Sequence, residues 1–301
     1  MNFKRSSAFS SMSEKDAAQP PATLEDLVAR ATEGDRDALE TVIVSIRDDM
    51  YRLALRFLWH PQDAEDATQE ILVRIVTGLG SFRGQSRFRT WAYRVACNTL
   101  ISLRKKGRME RVALSFDDFA EDLDRGLSES RGGEIGDPER ALLLEEVKIG
   151  CTLGMLLCLD REHRLAYIVG EILEMDHHEA AEALGIPPAT FRKRLSRARQ
   201  SIMNLMMSRC GLVNPANSCR CARRLETACA LGRVNPDRLL FASSLEQARR
   251  FPAVLGVIRQ LDAARRAGAL QRSHGLPSAP GSLSSWLEGV LPRDLSPQRR
   301  S

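Results

Sequence analysis

The chain has 301 residues, room for two domains and a third segment, with 43% hydrophobic and 28% charged residues, the balance of an ordinary globular protein. Aromatic residues make up only 5%, low for a β-sandwich or barrel, whose strands favour aromatic and β-branched side chains. Lys and Arg outnumber Asp and Glu by 44 to 39, so the net charge of +5 is small and its placement carries the information. No apolar segment follows Lys4 and Arg5 in the manner of a signal peptide, and no run approaches the roughly 18 apolar residues of a spanning helix. Seven cysteines, an odd number without an export signal, argue against a disulfide framework. A cytoplasmic protein without a membrane segment is expected.

Residues 1–22, rich in Ser, Ala, Pro and charge, are expected to be disordered. Helical periodicity starts at Leu24, Leu27, Val28 and Ala31. Gly34 and Asp35 end that helix and cap a second, with an apolar stripe at Leu39, Val42, Ile43 and Ile46. A third helix carries Met50, Leu53, Ala54, Phe57 and Leu58 and stops before Pro61. A fourth is predicted from about Gln62 to Leu79, and a fifth from about Arg87 to Lys106. Between Ser115 and Asp137 eight acids stand against Arg125 and Arg131, a net charge of −6, with four glycines; an extended acidic linker is predicted. Helices return from Pro138 to about Arg209. Beyond the stretch Cys210 to Cys229, short helices are expected around 237–249, 252–267 and 283–290. The fold class is all-α: two small helical domains joined by an acidic linker, the second a helix-turn-helix, plus a helical C-terminal extension.

Three segments bear chemistry. From Leu79 to Met109 there is no acid but eight cations, interleaved with Phe82, Phe88, Trp91 and Tyr93. Cations suit a phosphate backbone, and aromatic faces suit unstacked bases, each stack contributing about 1–3 kcal/mol. The loop 80–86 is flexible and donor-rich, as a pocket for an extruded base requires. A solvated basic helix with Trp91, Tyr93 and Val95 partly in the core is the alternative reading.

His177 to Leu184 is a short helix, Gly185-Ile186-Pro187-Pro188 a turn, and Ala189 to about Met207 a longer helix, the pattern of a helix-turn-helix. Phe191, Leu195, Ala198 and Ile202 form one buried stripe, away from which stand Thr190, Arg192, Lys193, Arg194, Arg197 and Arg199. No acid occurs between Glu182 and Glu226, as a recognition helix in a major groove requires. Helix-turn-helix units also serve as protein-binding modules. His177 and His178 are read as solvent-facing or capping residues.

Asp63, Glu65, Asp66 and Glu70 lie on the first turns of the fourth helix, where negative charge complements the helix dipole. Asp66, Gln69 and Glu70 share a face that suits a basic protein partner. Mg²⁺-dependent nuclease chemistry on these carboxylates is a weaker alternative, since no His, Lys or Gly-rich loop accompanies them.

Taken in order, these pieces resemble the extracytoplasmic-function (group-four) sigma factors of bacterial RNA polymerase, over roughly Leu24 to Met207. The resemblance rests on Asp63-Ala64-Glu65-Asp66-Ala67-Thr68-Gln69-Glu70, on Phe88-Arg89-Thr90-Trp91-Ala92-Tyr93-Arg94-Val95-Ala96-Cys97-Asn98, on Glu179 to Pro187 and on Arg192 to Arg199. It implies sigma region 2 over 23–112, a linker over 113–137, sigma region 4 over 138–209 and an extension over 210–301. Asp63, Glu65, Asp66, Gln69 and Glu70 would bind core RNA polymerase, through its β′ clamp, with the β subunit a further contact. Phe82, Arg83, Gln85, Arg87, Trp91, Arg94, Asn98, Arg104 and Lys105 would bind the −10 element. Thr190, Arg192, Lys193, Arg194, Arg197 and Arg199 would bind the −35 element as duplex. The linker would pass towards the active-centre cleft of the polymerase. The chain would carry no catalytic residue and require no cofactor, and an anti-sigma factor is a further candidate partner. A stand-alone helix-turn-helix regulator is the alternative that leaves the Asp63 helix unexplained.

The extension departs from the family pattern. It gathers Cys210, Cys219, Cys221 and Cys229 beside Arg220, Arg223 and Arg224, which favour thiolates. Zn or Cu held by these four cysteines, thiol redox sensing and plain buried cysteines are the three readings. From Leu225 onward there are 11 Arg, no Lys and six acids, with periodic apolar positions. A small helical module that regulates the other domains in cis is expected.

Overall fold

The computed structural model describes residues 22–103, 114–127 and 138–290. The expected disorder of the N-terminus, Arg104 and Lys105, and the second half of the linker lie outside the described residues, as do residues 291–301. Among the described residues there are thirteen α-helices and no strand, only an isolated bridge between Cys210 and Cys219. No helix among them is long and apolar enough to cross a membrane.

The first lobe contains α1 (Leu24–Thr32), α2 (Arg36–Leu58), α3 (Pro61–Gly78) and α4 (Phe88–Ser102). Thr23 and Asp26 cap α1 reciprocally, and the Asp35 carboxylate caps α2 at the Ala38 N–H, satisfying N–H groups that lack helical partners. The expected second and third helices are one 23-residue helix. No Gly or Pro interrupts 36–58, and the buried positions 39, 42, 43, 46, 50, 53, 54, 57 and 58 keep one register throughout. Trp59 ends α2 with φ 69°, a left-handed conformation that costs a non-glycine residue about 1–2 kcal/mol. Its indole Nε1 donates to the Gly150 carbonyl at 3.0 Å, and its ring meets Phe241 edge-on at 5.4 Å.

The predicted extended linker is helical in its first half. α5 (Phe116–Arg125) is capped by a Ser115–Asp118 box, and Phe116, Phe119, Ala120 and Leu123 fall on its inner side. Asp117, Asp118, Glu121 and Asp124 occupy its outer face, while Asp122 is half-buried and paired with Arg224 and Arg233.

The second lobe comprises α6 (Pro138–Leu157), α7 (Arg161–Tyr167), which runs on through a π-helical turn at Ile168–Ile172, α8 (His177–Leu184) and α9 (Pro188–Arg209). Gly170 lets this turn approach α9: a Cβ there would sit 2.7 Å from Phe191 Cζ and 2.8 Å from Leu195 Cδ2. Gly185, with φ 63°, makes the tight turn between α8 and α9, and the Ile186 N–H returns to the Ala181 carbonyl.

The extension holds α10 (Cys221–Ala230), α11 (Leu245–Gln260), α12 (Ala263–Arg272) and α13 (Gly281–Val290). α10 was not expected, and Pro252 lies inside α11 instead of breaking it; this helix is lightly buried, anchored by Ala248 and Ile258 on either side of the exposed proline. α10 and α11 pack on α6, and α12 on α9. One apolar core runs from Val28 in α1 to Leu283 in α13, so both lobes and the extension share it.

Candidate nucleic-acid interface

α9 divides into two faces. Phe191, Leu195, Ala198 and Ile202 are at most 1% exposed, the inner stripe that the spacing predicted. Arg192, Lys193 and Arg197 are exposed and, with Ala189 and Ser196, line a shallow recess. Thr190 is half-buried at the first turn. Arg194 and Arg199 lie on the same helix but are engaged internally: Arg194 pairs with Glu162 of α7, and Arg199 with Glu171, which also receives Arg272 from the extension. Asp176 caps α8 at the His178 N–H, and His177 sits exposed over the edge of Phe191.

In the first lobe, Phe82, Phe88 and Trp91 form one aromatic cluster with centroids 5.5–5.7 Å apart. Phe88 is fully buried, so it serves the core; Phe82 and Trp91 remain partly exposed. Arg83, Gln85, Arg87, Arg94 and Asn98 all face solvent. On α3, Asp66 is exposed and accepts from Gln62, while Asp63, Glu65, Gln69 and Glu70 are half-buried. Glu70 pairs with Arg74 one turn on, and Glu65 accepts a hydrogen bond from Ser282 of α13 at 2.5 Å.

The lobes meet where both basic surfaces begin. α4 packs against α8, and Arg87 lies 3.6 Å from Glu179 across the junction. The buried Arg164 guanidinium donates to the Phe57, Leu157 and Leu159 carbonyls at 2.7, 3.3 and 3.0 Å, tying α7 to the end of α2. A buried charge at such a place is tolerated only because carbonyls meet it from several sides.

Two family models match the chain: sigma-70 region 2 over residues 42–109 and sigma-70 region 4 over 149–202. The RNA polymerase sigma-H factor of Pseudomonas aeruginosa is 31% identical over 179 residues, 59% of this chain and 91% of the relative. The ECF RNA polymerase sigma-E factor of Escherichia coli K12 is 31% identical over 185 residues, again 59% of this chain and 91% of the relative. The chain belongs to the extracytoplasmic-function sigma factors. The solved structure of CnrH in complex with the cytosolic domain of CnrY is similar over 60% of this chain and 96% of that one, at 22% identity and a TM-score of 0.42.

As a sigma factor the chain binds core RNA polymerase and promoter DNA and initiates transcription; its family is one of non-catalytic initiation factors. The sigma factor's extension, from Cys210 onward, lies beyond both matched regions. There Cys210, Cys219 and Cys221 line one cavity, but Cys229 does not: it packs beside Leu225, Ala228 and Val234 against Val147. The fourth cysteine at the cavity is Cys151 of α6. Sequence spacing gives no sign of it, because α6 and the extension meet only through the fold. Buried pairs were equally invisible. Glu146 of α6, 1% exposed, accepts the backbone N–H groups of Leu240, Phe241 and Ala242 at 2.7, 2.9 and 2.7 Å. Lys148 pairs with Glu145 and stands 3.1 Å over the Phe251 ring; burial holds its pKa below the ordinary lysine value.

Proposed function

We propose that the acidic side of α3, led by the exposed Asp66 and the half-buried Gln69 and Glu70 with Asp63 and Glu65, docks on the β′ clamp of core polymerase, with the β subunit contacting the rest of the chain. Phe82, Arg83, Gln85, Arg87, Trp91, Arg94 and Asn98, continued by Arg104 and Lys105, capture the opened −10 strand. Thr190, Arg192, Lys193 and Arg197 read the −35 element, with Arg194 and Arg199 joining once freed from their carboxylates. The observation that carries this reading is the exposed, acid-free face of α9 beside a buried apolar stripe. Opening base pairs costs energy, which stacking and phosphate contacts to the captured strand offset in part. Nucleotidyl transfer belongs to the polymerase, the chain itself carries out no covalent step, and its place is the cytoplasm. An anti-sigma factor is a further partner this reading admits.

A second proposal concerns the extension. It touches the docking helix and both lobes: Ser282 holds Glu65 of α3, the Ala279 N–H donates to Asp48 of α2 at 3.2 Å, and Arg272 joins Glu171 beside α9. Arg224 and Arg233 both bind Asp122 of α5. The extension therefore acts as an internal clamp that regulates the sigma factor in cis. Run-off transcription with purified core polymerase tests both statements. Promoter-specific transcripts dependent on the full chain are expected, with higher output from a chain ending at Arg209. No transcripts from either chain would overturn the promoter reading. Lower or equal output from the shortened chain, with its fold checked by circular dichroism, would overturn the clamp.

A further inference from the structure

One carboxylate joins α9 to the extension. Glu171 lies in the π-helical turn at Ile168–Ile172, where the Leu173 N–H donates to the Ile168 carbonyl at 2.9 Å, one residue wider than an α-helical turn. Its two oxygens are divided between two cations: Oε2 receives Arg199 of α9, and Oε1 receives Arg272 of α12 at 2.7 Å. Arg272 also donates to the Glu171 backbone carbonyl at 2.9 Å and pairs with Glu174 at 3.3 Å. Gly268 lets the carboxylate lie against α12, since a Cβ there would sit 1.9 Å from Oε1.

Arg199 is placed to serve either of two anions. Arg192 and Arg199 are seven positions apart, so they stand on one side of α9, about two turns from each other. The Arg199 side chain remains 47% exposed although it is paired. A partly exposed ion pair is weakly held, so a duplex phosphate lying beyond Arg192 competes with Glu171 for this guanidinium. Glu171 cannot turn to water in exchange, because its side chain is only 12% exposed. A carboxylate left unpaired at that depth is costly. Arg272 removes the cost, since it keeps Glu171 paired after Arg199 has left. The neighbouring pair shows the contrast: Glu162, the partner of Arg194, is 58% exposed, and water replaces the arginine there.

We infer that Glu171 is a latch that withholds Arg199 from duplex DNA, and that Arg272 of the extension is the substitute partner that lets the latch open. Both are positioning residues that act on DNA through Arg199. The inference rests on the reading of α9 as the −35 interface and gives the extension a second task besides holding the lobes together. Glu171, Arg199 and Arg272 all belong to the second lobe and to the helix α12 packed on it, so the latch persists when the lobes separate. It is closed in the free chain and yields Arg199 to a phosphate once the lobe is seated on a promoter.

The test has two parts, both on the full chain. Fluorescence anisotropy with a labelled mixed-sequence duplex, over a range of salt concentrations, reads the latch. Glu171→Gln should tighten binding by about three- to tenfold and steepen the salt slope by about 1, the signature of one added phosphate contact. Adding Arg199→Ala to Glu171→Gln should abolish that gain. No gain in Glu171→Gln, or a gain that survives Arg199→Ala, would overturn the latch; the second result would mean that loss of a negative charge acts at long range. Denaturant unfolding followed by circular dichroism reads the substitute partner and confirms that each variant folds. Arg199→Ala should raise the unfolding equilibrium constant by less than about threefold when Arg272 is present and by about tenfold or more in Arg272→Ala, where Glu171 is left alone. Equal effects in the two backgrounds would overturn the role of Arg272. Arg192→Ala separates this inference from the reading beneath it. If it weakens duplex binding while Glu171→Gln changes nothing, the latch alone falls; if it leaves binding unchanged, the −35 reading falls and the latch with it.

Discussion

The Glu146 carboxylate offers the sharpest probe of how the extension is held. It lies at 1% exposure and receives three backbone N–H groups from consecutive residues, 240–242, of a loop with no regular structure of its own. Hydrogen bonds to a charged acceptor contribute about 1.5–3 kcal/mol each, and a buried N–H left unpaired costs about 1–3 kcal/mol. Simple addition overstates the loss in Glu146→Ala, because the adjoining cavity admits water to the freed N–H groups and the removed carboxylate no longer has to be desolvated. A net loss of about 3 kcal/mol is expected, concentrated in this loop rather than in α6, where Ala is a good helix former. At about 1.4 kcal/mol per factor of ten, the Leu240, Phe241 and Ala242 amides should exchange hydrogen on the order of 100-fold faster. Glu146→Gln keeps one carbonyl oxygen for two of the donors and turns an NH₂ towards the third, so its effect should be about tenfold. Amide exchange by NMR or mass spectrometry reads both variants. Unchanged protection of these three amides in Glu146→Ala, or equal damage from the two variants, would refute the reasoning.

Other consequences follow from the same structure. Gly170→Ala places a Cβ within 2.8 Å of Phe191 and Leu195, and overpacking should cost about 1–3 kcal/mol in denaturant unfolding; an unshifted midpoint would contradict the close approach. Arg192→Ala, Lys193→Ala and Arg197→Ala should each weaken duplex binding across sequences and reduce the salt slope by about 1 where the cation meets a phosphate. Arg199→Ala should change the slope little while its partner Glu171 retains it, as fluorescence anisotropy at several salt concentrations would reveal. Burial, with help from Lys148 and Arg56, holds the His274 pKa well below 6.5, so this ring is neutral in the fold and takes up a proton on unfolding. Its contribution to stability is complete above pH 6.5 and is lost as pH falls below it; His274→Phe should flatten that part of the stability profile.

Much of this was legible in the sequence because it depends on local rules. The 3.6-residue apolar period located α1, α3, α4, α8 and α9, and Gly185 marked the tight turn between α8 and α9, where a left-handed residue was needed. The candidate interface residues 83, 85, 87, 94, 98, 192, 193 and 197 are exposed as expected, since a cationic face opposite an apolar stripe has only one way to turn. In α5 the acids mask the Ser115-x-x-Asp118 cap and the apolar spacing behind it, and α2 runs on as one helix because nothing in 36–58 breaks it. The rest depends on tertiary contact. Arg194 and Arg199 look free for DNA until Glu162 and Glu171 are brought beside them from α7 and its π-turn. Cys151 and Glu146 acquire partners only because the extension folds back over α6.

That folding back bears on how the sigma factor works. Elements at −10 and −35 lie about 25 base pairs apart, roughly 85 Å along duplex DNA at 3.4 Å per pair. A compact chain of this length has a radius of gyration of about 19 Å. With α4 seated on α8 and one core shared by both lobes, the two basic surfaces start side by side. On the proposed reading they cannot reach both elements at once without the lobes separating. Separation breaks the Arg164 hydrogen bond to Phe57 and the Trp59 bond to Gly150, and it parts the Trp59 ring from Phe241. Each such contact adds to the cost of opening, and every 1.4 kcal/mol of that cost lowers apparent affinity for polymerase and promoter about tenfold. Polymerase, with its larger contact area, is the partner able to meet it. Contacts of the extension with the first lobe, Ser282 with Glu65 and Ala279 with Asp48, then set the threshold, because they stabilise the closed form and contribute nothing to the open one.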